Sequence, residues 1–259
     1  MATACCFFNF YTTNIFGQAA SVSEGVLKYE VNIEAQGESV PDDMKDLNPE
    51  INISFKEERA LVVFSGVPEL EGNMIMVDGK KHEAHLGVKR GDEKYHVLVP
   101  EETLKREQQE NMAKFDSMAA MMQLFMPGDS TDTTNPAVPG NAVRATGETE
   151  NILGYECRKY TATASIMQFE FYTTESVRMP TSLLGMGNIA SGTMGGFDFS
   201  QIKGFPLKIN IRIDMFGQQA SIQLLAISLK KETIDEKIFR IPKDYKEISY
   251  EEFKAMGMH

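Results

Sequence analysis

Apolar and polar residues alternate without a break in Leu27-Lys28-Tyr29-Glu30-Val31-Asn32-Ile33-Glu34, and again in Leu207-Lys208-Ile209-Asn210-Ile211-Arg212-Ile213-Asp214. Successive side chains of a strand point to opposite faces, so a period of two gathers the apolar residues on one side of a sheet. Shorter runs repeat the pattern: Ile51, Ile53 and Phe55, then Arg59 to Phe64, Met74 to Val77, Glu83 to Val88 and Tyr95 to Val99. Val143 to Glu148, Glu156 to Ala162, Met167 to Thr173 and Ala220 to Lys230 follow. Turn residues lie between runs at Asp78-Gly79, Arg90-Gly91-Asp92 and Phe216-Gly217-Gln218, and Asp-Gly is a pair that tight hairpins favour. Strand follows strand with no helix between them, which excludes a repeated βαβ plan and predicts an antiparallel sheet. A chain of 259 residues fits one large β domain.

One segment departs from this rhythm. Pro100 leads into residues 101–126, where Glu101 and Glu102 suit the positive end of a helix dipole and Pro127-Gly128 ends the run. Met112, Phe115, Ala119, Met122 and Met126 fall at helical spacing, with Met118 and Phe125 beside them. The spacing predicts a long amphipathic helix over about 101–126 whose apolar stripe occupies its second half. Such a stripe ordinarily packs on a sheet. The same residues (Met112, Phe115, Met118, Met122, Phe125 and Met126) are also the candidate wall of a hydrophobic binding site. Ser249-Tyr250-Glu251-Glu252 is a capping box opening a short C-terminal helix. Pro127 to Asn141 and the Gly-rich stretch Leu183 to Gly204 read as long loops.

The formal net charge of -11 argues against nucleic acid, whose phosphates need clustered Lys and Arg, and against adhesion to anionic lipid headgroups. Residues 1–23 carry no charged side chain, and Ala2 to Phe16 is too short and mixed to span a bilayer. Gly17-Gln18-Ala19 offers small residues for an export peptidase cutting before Ala20. A signal peptide over 1–19 and a single domain over 20–259 are therefore expected. The absence of Lys or Arg near Met1 departs from the usual leader, and a buried first strand is the competing reading. Cys5 and Cys6 fall in the leader, where Ala2-Thr3-Ala4 makes a poor lipidation signal. Cys157 is then alone in the mature chain and has no partner for an internal disulfide.

No motif carries a catalytic reading. Gly185-Met186-Gly187-Asn188-Ile189-Ala190 fits a dinucleotide fingerprint in letters, but Pro180 before it and Gly192, Gly195 and Gly196 after it deny the strand and helix that the chemistry requires. His82 and His85 on one strand point to opposite faces, so they read as surface histidines rather than a shared metal site. His96 stands apart, and no nucleophile elbow is present. Sixteen Met residues raise Cu(I), which soft thioethers favour. Met74 with Met76, and Met118 with Met121 and Met122, lack a tight repeat, so copper handling is the minor alternative. Asp129 and Asp132 lack the spacing of a calcium loop. Cys157 reads as a small buried hydrophobe. A reactive thiol there would need Arg158 and Lys159 to depress its pKa.

Gly154-Tyr155-Glu156-Cys157-Arg158-Lys159-Tyr160, the following strand Glu170-Phe171-Tyr172-Thr173-Thr174-Glu175, the segment Gly204-Phe205-Pro206-Leu207 and the ending Phe239, Ile241, Pro242 and Tyr245 together resemble an uncharacterised bacterial family, DUF4412. The resemblance covers the second half of the chain, and the first half only in strand rhythm. It implies an exported β-rich protein similar to periplasmic lipoprotein carriers, in which a curved half-barrel holds acyl chains under helices. No catalytic residue carries over from it.

These readings predict a mainly β fold: a curved antiparallel sheet forming an open half-barrel, with the long helix on its concave face and a short C-terminal helix. The expected protein is non-enzymatic and soluble, exported to the periplasm or outer envelope of a bacterium. It needs no cofactor or metal and takes a lipid-like or other hydrophobic ligand. A structural module that binds envelope proteins and no small ligand is the alternative.

Overall fold

The computed structural model describes residues 21–35, 48–100, 102–103, 106–107, 109–110, 117, 143–164, 167–180, 183, 202–215 and 218–256. Its strands are β1 (Glu24–Ala35), β2 (Glu50–Lys56), β3 (Arg59–Ser65), β4 (Met74–Asp78), β5 (Glu83–Arg90), β6 (Glu93–Pro100), β7 (Arg144–Ile152), β8 (Tyr155–Ala164), β9 (Met167–Thr174), β10 (Phe205–Met215), β11 (Gln218–Lys230) and β12 (Lys246–Glu247). The first eleven are the alternating runs read from the sequence, with their ends moved by a few residues.

All twelve belong to one sheet in the order β12-β6-β5-β4-β3-β2-β1-β11-β10-β9-β8-β7. Two meanders compose it, β1 to β6 and β7 to β11, joined where β1 pairs antiparallel with β11 from Val26↔Lys230 to Ala35↔Ala220. Every neighbouring pair is antiparallel except β12 with β6. β12 and β7 stand at the two edges, so the sheet is open and does not close into a barrel.

The larger core cluster takes in Leu27, Ile53, Phe55, Val62, Ile75, Val77, Leu86, Val97 and Val99 of the first meander and reaches Ile152, Cys157, Leu207 and Ala226 of the second. Helix α1 (Tyr250–Ala255) adds Phe253 to that cluster, and Ile248 just before it joins too. The helix starts where the capping box predicts: Ser249 Oγ accepts from Glu252 N–H at 3.2 Å, and Glu252 Oε2 accepts from Ser249 N–H at 2.8 Å. On the other face, Ile234 and Phe239, from the 3₁₀ turn Glu236–Phe239 and the residues before it, pack with Met76.

The long helix over 101–126 is not seen. The only α-helix continuous over the described residues is α1, six residues long. Glu102, Thr103, Arg106, Glu107, Gln109, Glu110 and Ser117 have helical backbone, and the rest of that stretch lies outside the described residues. The sequence from Lys105 to Asn111 is polar throughout, so nothing there supplies the apolar stripe that anchors a helix to a sheet. Among the described residues, an ion pair connects this stretch to the C-terminal helix, Lys254 Nζ to Glu107 Oε1 at 2.9 Å. The expected leader over 1–19 and most of the two expected loops also lie outside the described residues. No described helix is long and apolar enough to cross a membrane.

Candidate functional site: an apolar face with a braced polar reverse

Register turns the alternation of β1, β11, β10, β9 and β8 into rows that cross five strands. Val31, Leu224, Ile209, Phe171 and Tyr160 form one apolar row. Ile33, Ile222, Ile211, Phe169 and Ala162 form the next, and Ile213 and Met167 continue the face beyond it. Ile202 packs against this patch, whose buried members include Tyr160, Phe169, Phe171 and Ile211. Cover is uneven: exposure rises along the second row from 1% at Phe169 to 48% at Ile33. Ile209, Ile213 and Ile222 are half-buried between these limits.

The reverse of the same strands is polar and cross-linked. Lys159 Nζ reaches Glu148 Oε2 at 3.2 Å and Glu170 Oε1 at 3.1 Å. Asn210 Nδ2 donates to Glu170 Oε2 at 3.0 Å, and Gln223 Nε2 donates to Asn210 Oδ1 at 3.1 Å. One chain of contacts thus runs from β7 to β11. Lys208 pairs with both oxygens of Glu150, at 2.9 and 3.1 Å. Tyr172 lies between the two lysines, its ring centre 5.7 Å from Lys159 Nζ and 4.7 Å from Lys208 Nζ. The hydrogen bond to Glu170 holds Lys159 protonated well above the usual ammonium range, with Glu148 adding to it. Burial alone would raise Glu170, but the Asn210 amide and the Lys159 ammonium together keep its carboxyl below the usual range. A small surface groove on this side is lined by Thr161, Thr163, Gln168, Glu170 and Arg212, among others.

Of the residues singled out in the sequence, Met112, Phe115, Met118, Met122, Phe125 and Met126 lie outside the described residues. Cys157 is fully buried, and its thiol donates to the Tyr155 carbonyl at 3.6 Å. Burial, with the Glu150 carboxylate adding to it, pushes that thiol up to about 11, the reverse of what a nucleophile needs. His82 sits in the β4–β5 turn with φ 56°. His85 and His96, which the sequence reading placed on the surface and apart, meet through their ring nitrogens at 2.8 Å, and His96 is buried.

Residues 122–245, which contain β7 to β11, match a family described as a domain of unknown function, DUF4412. The match spans just under half of the chain. The DUF4412 letters recognised in the sequence now have structural reasons. Gly154 turns the β7–β8 hairpin at φ 83°. Lys159 is the centre of the polar chain, whereas Tyr160 faces the apolar side. Gly204 has φ 85°, and a Cβ there would stand 2.5 Å from the Thr174 carbonyl oxygen. Phe239 lies 4.9 Å beneath the Arg59 guanidinium. β1 to β6 lie outside the DUF4412 match.

No curated protein matches the chain. Among solved structures it is similar to PNGF-II in a C2 crystal form (14% identity, TM-score 0.46, 90% of this chain and 32% of that one). It is also similar to PNGF-II in a P21 form (14%, 0.44, 90% and 33%). An uncharacterized conserved protein from Thermus thermophilus matches at 11% identity and TM-score 0.41, over 86% of this chain and 90% of that one. The chain spans about a third of PNGF-II. At these TM-scores the likeness carries no argument.

Proposed function

We propose that this is a non-enzymatic binding protein of the cell envelope that takes a lipid-like or other hydrophobic ligand on the apolar face of its sheet. The observation that supports the reading is the uneven cover of the isoleucine row, closed at Phe169 and open toward Ile33. Finishing the burial of Ile33, Ile213 and Ile222 offers on the order of 2–4 kcal/mol. That suffices for a weak contact, and micromolar affinity needs about twice as much. In this reading the sheet curves as a half-barrel, and the stripe of Met112, Phe115, Met118, Met122, Phe125 and Met126 supplies the rest as the facing wall. Binding is non-covalent, because apolar walls remove a hydrocarbon chain from water and need no chemistry. Export to the periplasm, where the family resemblance points, brings such a protein to its ligand.

The test is extraction of the natively purified protein with chloroform and methanol, followed by mass spectrometry. A lipid recovered near one per chain is expected. A filled interior with no extractable lipid sinks the reading and favours a structural module that binds envelope proteins. Glu in place of Ile33 and of Ile222 places charge on the open row and is expected to weaken binding of a dansylated fatty acid about tenfold or more, with the melting temperature little changed.

A further inference from the structure

Glu83, His85 and Gly87 on β5 share one face of the sheet with Met74 and Met76 on β4 and His96 on β6. Register sets Met76 opposite His85, Met74 opposite Gly87, and Gly87 opposite His96. Antiparallel partners point their side chains the same way, so two methionines and two histidines collect within three strands. His85 Nδ1 lies 2.8 Å from His96 Nε2. The ring centres are 5.1 Å apart and the planes differ by 22°. That separation is the nitrogen–nitrogen distance plus a ring radius at each end, so the imidazoles lie end to end, close to one plane. An imidazole lone pair lies in the ring plane, and these two nitrogens therefore aim at each other.

Glu83 fixes the tautomer. Its Oε1 lies 3.3 Å from His85 Nε2 and can only accept, which keeps the proton on Nε2 and the lone pair on Nδ1. Gly87 makes room for sulfur. A Cβ there would meet Met74 Cγ at 2.7 Å and Cε at 2.8 Å. Those carbons flank the thioether, so Met74 Sδ lies over the Gly87 backbone, and register pairs Gly87 with His96 on the next strand. Tyr245, whose Cε1 is 2.9 Å from the same point, closes that side. Met74, Met76 and His96 are buried, and Met76 packs with Ile234 and Phe239.

We propose that this cluster is a Cu(I) site, with the ion held between His85 Nδ1 and His96 Nε2, Met74 Sδ as third ligand, and Met76 in the apolar wall that excludes water. Thioethers select the soft monovalent ion. Among the described residues no three His, Cys, Asp or Glu gather as a harder dication needs. The ion takes the place of the hydrogen bond between the two rings: the single proton of His96 moves from Nε2 to Nδ1, both imidazoles stay neutral, and no proton is lost. Two metal–nitrogen bonds of about 2.0 Å each require the nitrogens to part by roughly 1 Å. The geometry was hidden in the sequence because the nearby histidine, His82, sits in the turn, while His96 is brought diagonally to His85 by the β5–β6 register.

The full chain is titrated anaerobically with Cu(I) in competition with bicinchoninate, with His96→Gln and Met74→Leu measured beside it. One competing ion per chain is expected, weakened about tenfold or more by each substitution, and Glu83→Gln is expected to weaken it about tenfold through His85. Circular dichroism melts of the variants report folding. Should His96→Gln fail to fold, Ag(I) titration of the unmodified protein followed by imidazole ¹⁵N resonances is expected to move His85 Nδ1 and His96 Nε2. The proposal falls if Cu(I) binding survives both substitutions, which would place the ion elsewhere in the Met-rich chain. It also falls if Zn(II) competes equally, or if those two resonances do not respond to Ag(I).

Discussion

Leu153 and Gly154 form the two-residue connection between β7 and β8, and both hold positive φ, 53° and 83°. A tight turn that follows the twist of its strands asks for this, and Asn151 Oδ1 supports it by accepting from Gly154 N–H at 3.1 Å. Glycine adopts such angles freely, whereas leucine is strained by about 1–2 kcal/mol. Leu153 is exposed, so Leu153→Asn is expected to raise stability by about 0.5–1 kcal/mol, seen as a higher urea midpoint. Gly204→Ala works the other way. Its Cβ would collide with the Thr174 carbonyl at φ 85°, and a loss above about 2 kcal/mol is expected in the same assay. Glu236 pairs with Arg59 at 2.6 Å and Lys56 at 3.2 Å, and Arg59 first, then Lys56, hold its carboxyl down at about 2. The unfolded carboxyl titrates near 4.3. Its stabilisation is therefore complete above about 4.3 and is lost as pH falls toward the folded value. Glu236→Gln should lower the urea midpoint at neutral pH, and the difference from the parent protein should vanish near pH 2. Equal differences at both pH values would contradict the pairing.

At the scale of elements, periodicity found every strand long enough to show one. β12 has two residues and no room for a period, so only its pairing with Tyr95 and His96 reveals it. The Asp78-Gly79 hairpin formed with a longer loop than a tight turn, because Asp78 Oδ1 accepts from both Lys80 and Lys81 N–H. His85 and His96 were legible in principle, since counting back from the turn at Gly91-Asp92 puts them on one face. The local His82–His85 spacing drew attention to the wrong pair. The polar chain across β7 to β11 makes a prediction for its element. Lys159→Met leaves Glu170 with Asn210 alone and is expected to cost about 1–3 kcal/mol. Adding Glu170→Leu should recover much of the loss, because a vacant partner costs more than an apolar pair. Thermal melts of the two singles and the double complete the cycle. A double variant no better than Lys159→Met would show that the carboxylate is satisfied by Asn210.

At the scale of the whole molecule, an open sheet leaves two edges to protect. One is met by β12, set parallel on β6. The other, β7, is broken by a register shift between Ala145 and Thr149 and carries Arg144, Glu148 and Glu150, features that discourage pairing with another chain. Two faces remain, one apolar and one bound together by ion pairs and amides. If the apolar face serves a ligand, stripping bound lipid should lower the melting temperature and adding a fatty acid should restore it. A melting temperature indifferent to lipid would leave that face without a ligand role.

The alternation in Leu27 to Glu34 and Leu207 to Asp214 by itself determined that these segments are strands with one apolar face, because a period of two has no other regular solution. The Ser249 to Glu252 capping box likewise determined where α1 begins, since its bonds are local. Tertiary structure decided the rest. The β1–β11 pairing, between strands separated by most of the chain, joined two meanders into one open sheet and set Ile33 beside Ile222. The β5–β6 register brought His96 to His85 and Met74 over Gly87. Local pattern says which way a side chain points. Which side chains it meets depends on partners distant in sequence, and only the assembled sheet supplies them.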